Sequence, residues 1–208
     1  MVTKGTTTLA IEALPLPPSV TNLIDEHSQL LQAVDQHLTQ SLGGSTSKYD
    51  VTHLSDESLL SLSKLQEKIE TELVSFSPDV WKPIAHRIWS FGPRRYGPNF
   101  LVNGIEGYDR PSIWDLVRDS DSEQRLRELD GSIINGFQLA TLSGPLCSEP
   151  VRGVAMVVRQ WSMAVAPPPS GMLPIMREMI LLCFHSPLSS PGVGLYLVNI
   201  PAPLPPIS

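Results

Sequence analysis

The sequence is short of the residues from which active sites are built. Cysteine occurs twice, at Cys147 and Cys183, with no Cys-x-x-Cys pair. Neither a disulfide framework nor a thiolate zinc site is supported, and two thiols in a reducing compartment are expected. No glycine is followed by lysine. The chain therefore lacks the loop in which backbone N–H groups and a lysine hold nucleotide phosphates. The five histidines, His27, His37, His53, His86 and His185, fall on different expected elements, without His-Glu-x-x-His or nucleophile-elbow spacing. No enzyme activity, metal or cofactor is expected of these residues. A basic excess is also missing: the net charge is -6 and the sequence pI near 5.3, which argues against nucleic-acid binding by bulk electrostatics. Any RNA contact has to come from a local patch. The longest wholly apolar run, Met179 to Phe184, is too short to span a bilayer, and Glu12 interrupts the apolar residues near the N-terminus, so no secretory leader is expected.

What is present is ordinary globular composition, 41% hydrophobic and 17% charged over 208 residues, enough for one main domain. Residues 6 to 14 alternate and are β-prone, and Pro15, Pro17 and Pro18 end that strand. Val20, Leu23, Ile24, His27, Leu30, Leu31, Val34 and Leu38 keep helical spacing and predict one helix over 20 to 42. The glycine and serine run at 43 to 47 stops it. Ser55-Asp56-Glu57 provides a cap and two carboxylates for a second helix with Leu62, Leu65, Ile69 and Leu73 on one stripe. Ser77-Pro78-Asp79 starts a short third one, expected to end near His86. Residues 19 to 86 thus read as a helical insert.

Short strands are expected at Ile88 to Phe91 and Phe100 to Val102, joined by Gly92-Pro93-Arg94-Arg95-Tyr96-Gly97-Pro98. Arginines at such a tip face water or a partner. Residues 109 to 122 read as polar and irregular. A helix is expected from Glu123 to Ser143, with Leu126, Leu129, Ile133, Phe137 and Ala140 on one face. The carboxylates Asp119, Asp121, Glu123, Glu128 and Asp130 in or beside its start are expected to stay solvated. Alternation from Val151 to Trp161 predicts a half-buried strand. Residues 162 to 170 form a proline-rich linker, 171 to 200 a helix and strand remnant, and 201 to 208, with four prolines, a disordered tail.

Ile88-Trp89-Ser90-Phe91-Gly92-Pro93, Gly97-Pro98-Asn99 and Ser132-Ile133-Ile134-Asn135-Gly136-Phe137-Gln138-Leu139-Ala140-Thr141 resemble, in this order, the fourth domain of the elongation factor two superfamily. Arg94-Arg95, Leu139 and the run from Thr141 to Pro150 look most like its branch of elongation factor-like GTPases of large-subunit maturation. The opening Ala13-Leu14-Pro15-Leu16-Pro17 and the helical insert fit that branch too. The likeness covers residues 6 to 161, with 171 to 200 similar to a shortened piece of the last domain. It departs between Trp161 and Gly171, where the family has a longer loop, and after Asn199.

The resemblance implies an α+β fold of the ribosomal protein S5 domain 2-like type carrying an α-helical insert. It also implies a cytoplasmic role in large ribosomal subunit maturation. Within the family, the full-length protein uses GTP and magnesium and works with SBDS to release the anti-association factor, initiation factor six. The implied partners are accordingly large-subunit RNA and protein, SBDS and that factor. This chain is expected to supply a noncatalytic ribosome-contacting part, through Arg94, Arg95, Tyr96 and Asn99. Arginine pairs bind phosphate, and tyrosine stacks on bases. Two other readings remain: a protein-interaction module acting through helices 19 to 86, and a split GTPase completed by another chain.

Overall fold

The computed structural model describes residues 7–42, 54–118, 128–144, 148–162 and 194–200. Five strands form one sheet: β1 (Thr7–Pro15), β2 (Ile88–Gly92), β3 (Asn99–Asn103), β4 (Val154–Ser162) and β5 (Gly194–Ile200). Their spatial order is β2-β3-β4-β1-β5. β3 and β4 are parallel and the other neighbouring pairs antiparallel, so the class is α+β. Six helices accompany them among the described residues: α1 (Pro18–Glu26), α2 (Ser28–Leu42), α3 (Asp56–Phe76), α4 (Pro78–Trp81), α5 (Ile113–Arg118) and α6 (Glu128–Leu142).

The sheet is covered on both faces. On one, Phe91, Phe100, Val102, Ala155 and Val157 form a core with Val20, Ile24, Leu31, Val34, Leu62, Leu65, Ile69, Leu73 and Trp114 from α1, α2, α3 and α5. On the other, Ile11, Trp89, Leu101, Met156 and Val158 pack with Ile133, Ile134, Phe137 and Ala140, the last four from α6. This changes the reading of β4. A half-buried strand was expected, yet Ala155, Met156, Val157 and Val158 are all wholly buried, because strands between two helical layers need no polar face.

Local chemistry accounts for most helix boundaries. The Ser55 hydroxyl accepts from the Ser58 N–H at 3.2 Å and caps α3, with Asp56 and Glu57 in the first turn. The segment expected as one helix over 20 to 42 is two. His27 separates them: its ring Nδ1 contacts the Leu23 carbonyl oxygen at 2.8 Å, beside its own N–H on the same oxygen at 3.3 Å. α4 stops at Trp81; Lys82 still has helical dihedrals and Ile84 and Ala85 N–H donate to the Trp81 carbonyl, but Pro83 has no N–H with which to continue the helical ladder.

Two further expectations need correction. Residues 109 to 122 are not irregular throughout. α5 starts there, with Ser112 N–H and Oγ donating to the Asp115 carboxylate at 2.9 and 2.7 Å and Trp114 buried. Asp130 is not solvated. It is 2% exposed, accepts from the Tyr108 hydroxyl at 2.8 Å and lies 3.1 Å from Arg110 Nε. That approach is an ion pair without hydrogen-bond alignment. Arg110 also stacks over Trp89, 4.8 Å from the ring centroid. Burial lowers its guanidinium pKa, and Asp130 restores part of the shift. The strand expected within the remnant at 171 to 200 is present as β5, which pairs with β1 from Thr7↔Ile200 to Ala13↔Gly194.

Candidate functional site

The turn between β2 and β3 is built from backbone constraints. Gly92↔Asn99 is the last strand pair, and Gly97 N–H closes the loop onto the Pro93 carbonyl at 2.9 Å. A side chain at Gly97 would bring its first carbon within 2.5 Å of Pro93 and 2.6 Å of the Gly92 carbonyl oxygen. The Gly92–Pro93 bond is cis. Arg94 and Arg95, with φ of 59° and 65°, both lie in the left-handed region, which costs roughly 1–2 kcal/mol for a non-glycine residue. Such a conformation persists only where surrounding contacts impose it.

Two buried or half-buried amides impose it here. Gln138 of α6 donates to the Phe91 carbonyl at 2.6 Å and to Ser90 Oγ at 3.1 Å, while its Oε1 accepts from the Arg95 N–H at 2.9 Å. Asn99 Nδ2 donates to the Gly92 and Val151 carbonyls at 2.8 and 2.7 Å, and its Oδ1 accepts from Val154 N–H at 3.0 Å. The turn is thereby tied to α6 on one side and to the entry of β4 on the other. α6 can come this close because β2 ends in glycine: an added carbon at Gly92 would sit 2.5 Å from the Phe137 ring.

The four expected contact residues separate by environment. Arg94 is exposed and makes no hydrogen bond or ion pair with a described residue. Arg95 is held: Nη2 donates to Asn135 Oδ1 at 3.2 Å, and Nε lies 3.6 Å from Asp35 of α2. Tyr96 is half-buried against the core of the helical layer. Asn99 is wholly buried; it shapes the turn and offers no surface to a partner. Burial raises the Asp35 carboxyl pKa, and Arg95 offsets part of that rise.

Gln138, Asn135 and Asp35 complete this arrangement; the first two stand in the segment that carries the resemblance, but none of the three was expected at the site. Asn135 and Gln138 carry only the signal of polar residues within an apolar helix; Asp35 carries none. The nearby Arg152 is neutralised by Asp25 and also donates to Asn22 at 3.0 Å, and Arg159 is paired with Glu12 at 2.5 Å. Among the described residues, Arg94 is thus the arginine of this turn without an ion pair, suited to one anionic contact. Among the described residues no three His, Cys, Asp or Glu side chains are grouped as metal ligands would be, and no helix is long and apolar enough to cross a membrane. Cys147 and Cys183 lie outside the described residues.

Residues 12–104 match the family model described as an elongation factor-like GTPase 1-like domain. This span holds α1 to α4 of the helical layer, β2, the turn and β3. The chain is 39% identical over 159 residues to human "Elongation factor-like GTPase 1", covering 76% of this chain and 14% of the relative. It is 28% identical over 163 residues to "Ribosome assembly protein 1" of Schizosaccharomyces pombe, covering 77% and 16%. A third relative is the "110 kDa U5 small nuclear ribonucleoprotein component CLO" of Arabidopsis thaliana, 29% identical over 128 residues, covering 60% and 12%. The chain spans less than a fifth of the relatives it matches. It is homologous to one portion of the elongation factor-like GTPases, and residues 12–104 carry the domain that marks that family.

Proposed function

We propose that this chain is a noncatalytic docking module that contacts ribosomal RNA of a maturing large subunit through the β2–β3 turn. Arg94 makes the phosphate contact, and Arg95 sets the turn's orientation. The observation that carries this reading is the exposed, unpaired Arg94 on a turn fixed by Gln138 and Asn99. Its context is a chain related to a protein named for ribosome assembly. A preset arginine binds phosphate without paying to order its backbone. On this reading the fold is of the ribosomal protein S5 domain 2-like type and the setting is cytoplasmic. GTP hydrolysis and the contacts with SBDS and the anti-association factor would lie with the rest of a longer protein, in whose release step this module would position the particle.

The test is co-sedimentation of the 208-residue chain with large ribosomal subunits over a range of salt concentrations. Arg94→Ala is expected to weaken association and to lower the slope of log K against log salt by about 0.7, as one lost phosphate contact does. Wild type that fails to co-sediment at low salt, or Arg94→Ala that binds like wild type, would sink the proposal.

A further inference from the structure

The net charge is distributed unevenly. Between residues 18 and 86 the sequence has ten carboxylates against four lysines and no arginine, a net charge of -6 equal to that of the whole chain. The remainder of the sequence balances to zero. In the described structure this acidic stretch forms the helical layer on one face of the sheet. α1 carries Glu26 and Asp25, the latter paired with Arg152, and α3 carries five carboxylates against Lys64 and Lys68, with Arg118 donating to its Ser63 and Gln66.

α1 and α3 do not close completely against each other. Between them runs a groove of about 370 Å³ lined by Ser19, Leu23, Glu67, Lys68, Thr71 and Glu72. Leu23 supplies an apolar wall, and Ser19 Oγ donates to Glu72 Oε2 at 2.8 Å across one end. Two aromatic or aliphatic side chains on α3 stay largely in water near this surface: Leu60 is 57% and Phe76 56% exposed. Phe76 lies one turn beyond Glu72 and Leu60 two turns before Glu67, so helical spacing puts each near one end of the groove-lining stretch.

We propose that this groove is a second docking site, independent of the β2–β3 turn, for a basic amphipathic segment of another protein. Its apolar residues would enter the groove and cover Leu60 or Phe76, and its lysines or arginines would meet Glu67, Glu72 and the exposed Glu26, which lies on the same helical stripe of α1 as Ser19 and Leu23. Charge decides the class of partner. RNA phosphate would be repelled by this layer, whereas a cationic segment is drawn to it. The groove supplies the apolar contact that separates docking from diffuse attraction between opposite charges.

The probe is a synthetic amphipathic helix of leucine and lysine, titrated into the isotope-labelled 208-residue chain. The control is the same helix with glutamate in place of lysine. Amide shifts are expected to concentrate at Ser19, Leu23, Thr71 and Glu72, with little response to the glutamate peptide. Glu67→Lys/Glu72→Lys is expected to weaken binding about tenfold by reversing charge at the rim. Thr71→Trp, which fills the groove at an exposed position without changing charge, provides a second variant that does not depend on the first one's folding. Arg94→Ala is expected to leave peptide binding unchanged, so this site and the turn stand or fall separately. Shifts spread over the whole acidic surface would overturn the proposal. So would equal binding of the glutamate peptide, or wild-type affinity in Thr71→Trp.

Discussion

At the scale of single residues, two side chains that support the β2–β3 turn act through burial that their local sequence does not show. Asn99 reads as a surface residue at a turn, yet its amide satisfies two carbonyls and one N–H that would otherwise be left unpaired. Asn99→Ala is expected to destabilise the fold by about 1–3 kcal/mol, the range for stranding a buried polar group. Urea denaturation checks this, and a loss under 1 kcal/mol would mean that other groups or water take over its bonds. Asp35 is the second case. Its carboxyl pKa is raised above 3.8, chiefly by burial. A raised carboxyl pKa favours the folded state below the unfolded value, and that advantage is lost as pH rises through the folded value. At neutral pH the carboxylate therefore costs stability on balance, even with Arg95 beside it. NMR titration should show an Asp35 midpoint above 3.8, and Asp35→Asn should leave stability at pH 7 unchanged or higher. A midpoint at or below 3.8 would show that the Arg95 pair outweighs burial.

At the scale of elements, the helices divide into those specified by local chemistry and those shaped by contacts elsewhere. α3 belongs to the first group: its cap, its acidic first turn and its stripe of Leu62, Leu65, Ile69 and Leu73 are all legible in the sequence, and all four apolar residues are buried. Replacing the cap as Ser55→Ala is expected to cost about 1 kcal/mol, measured as a lower denaturation midpoint with an unchanged denaturant slope. α5 belongs to the second group. Its six residues are too few to show periodicity, and it was missed; Trp114, buried among Phe91 and its neighbours, holds it in place. β4 was legible as a strand by alternation, but not as one covered on both faces. Nothing in its own residues states that α6 lies on one side and the insert on the other.

At the scale of the molecule, the two helical layers share the same strands. Ala155 and Val157 face one core and Met156 and Val158 the other. Loss of one layer strips the sheet that supports the second, so the described structure is expected to unfold as one cooperative unit. Amide signals of Leu65 in α3 and Phe137 in α6 should disappear at the same urea concentration; separate midpoints would show that the insert is an autonomous unit. The sheet also separates the two surfaces proposed for docking in kind: an acidic groove on the insert, and an arginine on the turn between β2 and β3.

By itself the sequence determined the order of the motifs, the apolar stripes of α1, α2, α3 and α6, the cap of α3 and the position of the arginine turn. Each depends on residues within a turn or two of one another, or on long ordered segments that match a family. Only the tertiary structure decided which arginine of the turn has no ion pair among the described residues. Arg95 is held by Asp35, Asn135 and Gln138, and Asn99 by carbonyls at Gly92 and Val151. Those partners meet because strands and helices far apart in sequence pack on one sheet, and burial with pairing across such distances leaves no periodic trace in the chain.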